Sequence, residues 1–224
     1  MTRRYFVTGT DTGVGKTLVA AGLLAKAARQ GLTTAAVKPV AAGCEESPGG
    51  LRNDDALMLR EAMTLDLPYE TVNPVALAPA IAPHIAAREA GRHMGVAALA
   101  GHCRNVFERH ADLTLVEGAG GWRVPLNDRE TLADLARELA LPVILVVGMR
   151  LGCINHALLT AEAIRNDGLP LAGWVANRVD ASMSRYRDNL ATLARHLPAP
   201  LLGEVPYLSD SDPRRVAEYL RLPD

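Results

Sequence analysis

Cysteine is scarce in this sequence, with three residues in 224. Cys44, Cys103 and Cys153 lie far apart along the chain, and their spacing matches neither a set of metal ligands nor a disulfide framework. Scattered cysteines of this kind are typical of proteins in a reducing compartment. We therefore expect a cytoplasmic protein without structural disulfides.

The sequence also lacks long apolar runs and an excess of either charge. No run reaches the ~20 apolar residues that span a bilayer, and residues 1–4 lead into a strand pattern without the features of a signal peptide. Lys and Arg total 24 against 25 for Asp and Glu. This balance argues against a nucleic-acid-binding surface or a membrane anchor, so we expect partners that are small molecules.

A glycine-rich stretch stands between an apolar run, Tyr5–Val7, and an Ala/Leu-rich segment with helical spacing. Strand, glycine-rich turn and helix together form the context of a phosphate-binding loop, in which backbone N–H groups point inward. Lys16 would supply a cation for the outer phosphates, and the Thr17 hydroxyl suits Mg²⁺. Thr10 departs from the usual GxxxxGK[ST] pattern, which has glycine there, with Gly9 just before it. The stretch predicts nucleotide binding.

Short apolar runs alternate with helical segments along the rest of the chain. This alternation predicts an α/β fold, a mainly parallel sheet flanked by helices on both faces, as in the three-layer sandwich of P-loop nucleotide triphosphatases. No linker is evident, so residues 1–224 are expected to form a single domain. The predicted strands are Tyr5–Val7, Thr33–Val37, Leu113–Gly118, Pro142–Gly148, Leu171–Val179 and Leu201–Val205. The predicted helices are residues 17–30, Asp55–Arg60, Val96–His110, Leu132–Leu139, residues 152–166 and Ser182–His196.

Residues 66–92 are rich in Pro and Ala and give no clear assignment. Pro83 and His84 have the pattern of a turn, and His84 is expected to be solvated or locally bonded and not catalytic.

Charged and polar side chains stand where the predicted strands end, which is where open α/β sheets bind their ligands. Lys38 follows the second strand, just before Pro39, and is a candidate for function. Glu117 ends the third strand, the position of the acid that holds magnesium in phosphate-loop enzymes. Asn177 lies at the end of a later strand. Asp55 fits either a functional carboxylate or the acidic first turn of a helix.

Several stretches along the chain carry a resemblance more specific than the phosphate loop alone. They are Tyr5–Thr12 with Val14–Thr17, Lys38–Ala41, Leu51–Asn53 with Asp55–Leu57, Thr71–Pro74, Val116–Trp122, Leu151–Ala157, Gly173–Asn177 and Leu202–Pro206. In these stretches, which span nearly the whole chain in order, the sequence resembles the dethiobiotin synthetase family.

The resemblance implies an enzyme that uses ATP, Mg²⁺ and CO₂ to close a ureido ring on 7,8-diaminopelargonate in biotin biosynthesis. One amine forms a carbamate, whose oxygen attacks the γ-phosphate, and the second amine then closes the ring on the carbamic-phosphoric anhydride and expels phosphate. Lys16 and Lys38 would be catalytic, because they offset the repulsion between carbamate and triphosphate. Thr17, Asp55 and Glu117 would hold the metal.

The resemblance also assigns the ligands to particular residues. ATP would be bound by Gly13, Val14, Gly15, Lys16, Thr17, Leu18, Asp55, Glu117, Gly118, Ala119, Gly120, Asn177, Arg178, Pro206, Tyr207 and Leu208. The adenine would be bounded by Asn177, Arg178, Pro206, Tyr207 and Leu208. The diamine would be bound by Thr12, Ala42, Gly152, Cys153, Ile154 and Asn155. The last four begin a helix, whose free N–H groups suit the substrate carboxylate. In the family this anchor comes from the neighbouring subunit, which implies a homodimer with active sites at the interface.

Three positions depart from the family's familiar pattern. Gly13 stands where members can carry Glu, Ala42 stands where a substrate-contacting Ser is usual, and Arg150 stands where Lys is frequent. Without a hydroxyl at Ala42, we expect one polar contact to be missing, at a cost of about 0.5–1.5 kcal/mol.

Three other classes share parts of the pattern. A regulatory ATPase of the partitioning or Min type carries a second lysine where this chain has Asp11. The stretch Asn177-Arg178-Val179-Asp180 is loosely similar to the Asn-Lys-x-Asp guanine site of GTPases, with Arg178 in place of Lys. An amidoligase of the cobyric acid type shares the fold, but would normally bring a glutamine-hydrolysing domain.

Overall fold

A sheet of six parallel strands forms the centre of the computed structural model, which describes residues 2–210 and 212–223. In chain order the strands of the molecule are β1 (Arg3–Gly9), β2 (Thr34–Val37), β3 (Val40–Ala42), β4 (Glu45–Ser47), β5 (Gly50–Arg52), β6 (Val75–Leu77), β7 (Leu113–Glu117), β8 (Val143–Gly148), β9 (Leu171–Asn177) and β10 (Leu201–Val205). The strand order across the sheet is β10-β9-β8-β1-β7-β2, which places β1 inside the sheet.

Helices connect the strands of this sheet. In chain order they are α1 (Lys16–Arg29), α2 (Asp54–Ala62), α3 (Tyr69–Val72), α4 (Pro83–Glu89), α5 (Val96–Phe107), α6 (Leu132–Glu138), α7 (Cys153–Asn166), α8 (Tyr186–His196) and α9 (Pro213–Val216), followed by a 3₁₀ turn at Ala217–Tyr219. Their starts follow local sequence signals. The Asn53 side chain caps α2, and Thr131 forms a capping box with Asp134 at the start of α6.

Both faces of the sheet are covered. Along β8, Ile144 and Val146 belong to the larger hydrophobic core, whereas Leu145 and Val147 belong to a second core with α7 and α8. Because successive side chains of a strand point to opposite faces, this division places a helical layer on each side. A run of buried β-branched and aliphatic residues is what such a position demands. The predicted three-layer α/β architecture is confirmed.

The six predicted strands of the main sheet are all present, with shifts at several element ends. The predicted strand Leu171–Val179 ends at Asn177, and the predicted helix Ser182–His196 begins at Tyr186. The turn predicted at Pro83 and His84 was wrong, because these residues begin α4. Proline is favoured at the first helical position, where its missing N–H would have no intrahelical partner.

The segment between β2 and α5 contains short elements that the sequence pattern did not reveal. Strand β3 pairs with β6, and β4 with β5 forms a two-stranded hairpin. Together with α2, α3 and α4, these pieces stand beside the end of the main sheet. They are too short for hydrophobic periodicity to mark them.

The parallel arrangement brings the ends of several strands to one edge of the sheet. Gly9, Val37, Glu117, Gly148 and Asn177 all close their strands there. This edge carries the candidate functional residues, as expected for an open α/β sheet. Separately, no helix in the described part of the chain combines the length and apolar character that crossing a bilayer requires.

Candidate active site

The turn between β1 and α1 has the geometry of a phosphate-binding loop. Gly13 and Gly15 adopt positive φ angles of 72° and 82°, which favour glycine. A Cβ at Gly15 would collide with the Asn177 side-chain amide. That amide donates a hydrogen bond of 2.8 Å to the Val14 carbonyl oxygen, so the loop is fastened to the end of β9.

Two side chains of this loop point toward the sheet edge and are buried. Lys16 is 6% exposed, and its Nζ donates to the Asp11 carbonyl oxygen at 3.0 Å. The Thr17 hydroxyl donates to Glu117 Oε1 at 2.8 Å. Burial, opposed by the Glu117 carboxylate and assisted by the Lys38 ammonium, lowers the pKa of Lys16.

Lys38 lies between two carboxylates. Its Nζ contacts Asp55 Oδ2 at 2.7 Å and Glu117 Oε1 at 2.6 Å. The lysine is 3% exposed and Glu117 is fully buried. Burial alone would lower the pKa of Lys38, but the Glu117 and Asp55 carboxylates outweigh it and raise this pKa. Burial would likewise raise the pKa of Asp55, but Lys38 lowers it.

Glu117 has a second oxygen whose polar requirement is not met. Oε2 is buried and has no hydrogen-bond partner among residues 2–210 and 212–223. A buried carboxylate oxygen without a donor is costly, so the site favours an additional cation or donor. Thr17, Asp55 and Glu117 offer the hard oxygen atoms that Mg²⁺ prefers. The described residues include no cluster of three His, Cys, Asp or Glu side chains that could hold a metal by themselves. These donors therefore fit an ion that takes further ligands from phosphate and water.

A cavity of about 860 Å³ opens beside these groups. Of the residues predicted from the sequence, those lining it are Thr12, Gly13, Gly15, Lys16, Thr17, Leu18, Lys38, Ala42, Asp55, Ala119 and Gly120. The residues that sequence reasoning missed are Ala41, Asn53, Met58, Ala80, Ile81, Ala82, Pro83, Arg123, Val124 and Pro125. The missed residues are mostly apolar, so one end of the cavity is charged and the other is suited to a hydrocarbon chain.

A smaller cavity of about 190 Å³ lies on the other side of Leu18, which lines both. It brings together the five residues predicted to bound the adenine, namely Asn177, Arg178, Pro206, Tyr207 and Leu208. The Arg178 guanidinium is fixed by a 2.7 Å hydrogen bond to the Ala181 carbonyl oxygen and lies 5.0 Å from the centre of the Tyr186 ring. The two cavities thus share Leu18, in the first turn of α1.

The remaining predicted residues do not line these two cavities. Val14 lies beside Gly9 and Gly148, and Glu117 is fully buried. Gly118 packs against Phe6, whose ring would be 3.1 Å from a Cβ at that position. The predicted substrate anchor, Gly152–Asn155, begins α7 and lines neither cavity of its own chain. It follows Leu151, which is 95% exposed.

Two ion pairs near the site were not foreseen as pairs. Arg150, noted only as a departure from the family pattern, contacts Asp11 Oδ2 at 2.6 Å. Arg123 contacts Asp167 Oδ2 at 2.8 Å, and Trp122 donates to the same carboxylate at 2.6 Å. The partners of each pair are more than forty residues apart in the sequence, so no local pattern predicts the pairing. The one sequence signal is the charge of Arg123, which stands directly after the Glu117–Trp122 stretch.

Comparison with known proteins agrees with this geometry. A family model described as an AAA domain matches residues 3–215. The ATP-dependent dethiobiotin synthetase of Pseudomonas aeruginosa strain UCBPP-PA14 is 65% identical over 97% of this chain and 96% of its own length. This chain belongs to the ATP-dependent dethiobiotin synthetase family. The synthetase of Cellvibrio japonicus is 61% identical over 98% of this chain and 96% of its own length. The chain is accordingly an ATP-dependent ligase of biotin biosynthesis.

Among solved structures, a ParA family ATPase from Chlorobium tepidum superposes with a TM-score of 0.58, over 94% of this chain and 87% of that one. The two sequences are 13% identical, so this likeness shows a common fold only. This chain and that ATPase therefore share a scaffold, which by itself assigns no role to any site residue.

Proposed function

We propose that this synthetase carboxylates 7,8-diaminopelargonate with CO₂ and closes the ureido ring of dethiobiotin, with conversion of ATP to ADP and phosphate. The observation that carries the proposal is the buried Lys38 ammonium, which lies between the buried Glu117 carboxylate and the half-exposed Asp55 carboxylate beside the phosphate-binding loop and also lines the larger cavity. A cation fixed at this point can meet two anions, a carbamate and a triphosphate, that would otherwise repel each other.

ATP would lie across the start of α1. Residues 13–18 would wrap its phosphates, with the loop N–H groups and the helix N-terminus directed at them. The adenine would enter the smaller cavity, where the Asn177 side chain is already held against Val14. Thr17, Asp55 and Glu117 would hold Mg²⁺, which supplies charge neutralisation at the transferring phosphoryl group when bound. Gly118, Ala119 and Gly120 would complete this side of the nucleotide site.

The diamine would occupy the larger cavity. Its amines would lie near Thr12, Ala42 and Lys38, and its carbon chain would lie along the apolar surface of Ala80–Pro83 and Val124. The far carboxylate would meet the N–H groups of Gly152, Cys153, Ile154 and Asn155 of a second copy. We therefore propose a homodimer, in which the exposed Leu151, just before α7, and Leu159 on α7 become buried.

The bond changes follow from this placement. One substrate amine attacks CO₂ and loses a proton, giving the carbamate. A carbamate oxygen attacks the γ-phosphorus, the bond to the β-phosphate oxygen breaks, and ADP leaves. Lys16 and Lys38 act as the catalytic cations that lower the charge repulsion of this step. The second amine then attacks the carbamoyl carbon, loses a proton, and expels phosphate together with the former carbamate oxygen.

The wider setting is proposed in the same terms. Residues 1–224 would act as one domain, in the reducing cytoplasm, without a nucleic-acid or membrane partner. The three cysteines are free and buried, which agrees with a reducing environment.

The test is a product assay on the purified full chain. With the diamine, bicarbonate, Mg²⁺ and ATP, we expect one dethiobiotin for each ADP and each phosphate, and no product when bicarbonate is omitted. ATP turnover that ignores the diamine but responds to DNA or to lipid vesicles would support a regulatory ATPase instead.

A further inference from the structure

Lys38 occupies the place between the two carboxylates that are proposed to hold the divalent cation. Its ammonium contacts Asp55 Oδ2 at 2.7 Å and Glu117 Oε1 at 2.6 Å. Thr17 donates to the same Glu117 oxygen, whereas Oε2 of Glu117 receives no hydrogen bond from the described residues. The lysine is thus bonded to the proposed metal ligands and not to a separate partner.

We infer that the Lys38 ammonium is a tethered substitute for the divalent cation. It holds Asp55 and Glu117 together in the metal-free enzyme, and it moves into the larger cavity when the metal and nucleotide bind. This inference rests on the proposed function of the site, and it adds that binding of the metal makes Lys38 available to the carbamate.

The physical reason is charge balance around the buried Glu117 carboxylate and the half-exposed Asp55 carboxylate. Glu117 is fully buried, and both carboxylates reach the same nitrogen atom, so without a cation between them they would repel strongly. A divalent ion and an ammonium cannot share that gap, because the two cations would repel at the same short range. Either cation satisfies the carboxylates, but only one can be there at a time.

The larger cavity offers space for the displaced ammonium. Lys38 lines the larger cavity, and its stem of four carbons lets the charged end swing while the backbone stays fixed. Its backbone is held, since its N–H donates to the Val72 carbonyl oxygen at 2.8 Å and its carbonyl accepts from Asn73 at 2.7 Å. The side chain is therefore the part that would move, from the carboxylates toward the proposed position of the carbamate.

Lys16 provides a matched comparison within the same site. It is buried to a similar degree and lies near the same charges, but its ammonium bonds to the Asp11 carbonyl oxygen and not to a carboxylate. Removal of Lys16 takes away one nearby positive charge without vacating the gap between Asp55 and Glu117. Removal of Lys38 takes away a positive charge and also vacates the gap between the two carboxylates.

The experiment measures Mn²⁺ binding to the nucleotide-free full chain by electron paramagnetic resonance. We expect weak binding by the unaltered chain, and binding tighter by about tenfold or more in Lys38→Met, well beyond the gain in Lys16→Met. Lys38→Arg keeps a cation in the gap and should bind Mn²⁺ as weakly as the unaltered chain. If Lys38→Met folds poorly, Lys38→Gln tests the same point, since it keeps a donor and removes the charge.

Equal Mn²⁺ affinity in Lys38→Met and the unaltered chain would overturn the inference, and so would an equal gain in Lys16→Met. Adding Asp55→Asn to Lys38→Met should remove the gain, which ties it to the carboxylate pair. Dethiobiotin formation by the unaltered chain is measured separately. If it makes product but Lys38 removal leaves Mn²⁺ binding unchanged, the inference fails while the proposed function stands.

Discussion

The two ends of the larger cavity are built in different ways. The charged end is lined by Lys16, Thr17 and Lys38, which are all buried and each joined to another group of the site or loop. The opposite end, around Ala80–Ala82, comes from the segment between β2 and α5 and is exposed. Charges have to be held within a fraction of an ångström to stabilise a reacting group, whereas a hydrocarbon chain needs only an apolar surface of the right shape.

This contrast teaches where change should be tolerated. A substitution at the charged end alters charge, metal binding or loop geometry at once. A substitution at the apolar end changes the binding free energy of the substrate by about that of one contact. Substitutions at the charged end should therefore have larger effects than substitutions at the apolar end.

Lys38→Met should lower kcat by about 10²–10³-fold, because it removes a fixed charge from the transferring group. Nucleotide affinity measured without divalent metal should change little, since Lys38 contacts carboxylates and not the loop N–H groups. Steady-state kinetics and nucleotide titration separate the two effects. Lys26→Met, on the surface of α1, is the control and should behave as the unaltered chain, and near-normal kcat in Lys38→Met would remove Lys38 from the mechanism.

Gly15→Ala should weaken both nucleotide binding and stability. The substitution places a Cβ at a φ of 82°, at a cost of about 1–2 kcal/mol, and drives it into the Asn177 amide. Gly31→Ala is a matched control, with a φ of 78° and no atom within 4 Å of the new Cβ. It should lower Tm by the backbone cost alone and leave nucleotide affinity intact. Equal Tm losses in the two variants would argue against the contact with Asn177.

Acid should weaken the ion pair between Asp55 and Lys38. The folded-state pKa of Asp55 is lowered below its ordinary 3.8, so its contribution to stability is present above that value and is lost as pH falls through the lowered pKa. Asp55→Asn should therefore lose less stability than the unaltered chain over that acidic range. Tm measured against pH for both proteins tests this, and parallel curves would contradict it.

The contribution of Lys38 to stability depends on pH with the opposite sign. Its pKa is raised above 10.5, so its contribution is present below that value and is lost only as pH rises through the raised pKa. In neutral and mildly alkaline solution, the pair between Lys38 and the carboxylates should therefore stay intact.

Ala42→Ser should have the smallest effect. A hydroxyl at the edge of the cavity would restore one polar contact worth about 0.5–1.5 kcal/mol, which lowers KM for the diamine by about two- to tenfold and leaves kcat nearly unchanged. Ala80→Ser, in the exposed wall, serves as the control and should change neither constant. A large change in kcat for Ala42→Ser would mean that this position belongs with the charged end.

The same contrast explains what could be predicted from the sequence. Long strands such as Val143–Gly148 and the glycine-rich loop carry strong local patterns, so the sheet and the residues at its edge could be placed in advance. The small strands Val40–Ala42 and Val75–Leu77 pair across more than thirty residues and are only three residues long. Their pairing depends on tertiary contacts and leaves no local pattern. The apolar end of the cavity, around Ala80–Ala82, therefore could not be predicted from the sequence.

Contacts between distant charges were also beyond local reasoning. Asp55 could be a metal ligand or a helix-start acid from its sequence alone, and the structure shows that it is both near the start of α2 and bonded to Lys38. The pairs of Asp11 with Arg150 and of Arg123 with Asp167 depend on how loops meet after folding. Such pairs leave no periodic signal in either partner segment.

The central claim is that a carbamate oxygen accepts the γ-phosphoryl group beside Lys16 and Lys38. The most direct measurement is the fate of ¹⁸O from labelled bicarbonate, in unlabelled water and at short reaction times. The account predicts that one labelled oxygen from the carbamate appears in the inorganic phosphate for each dethiobiotin formed. Phosphate free of label, with dethiobiotin made at the normal rate, would contradict it.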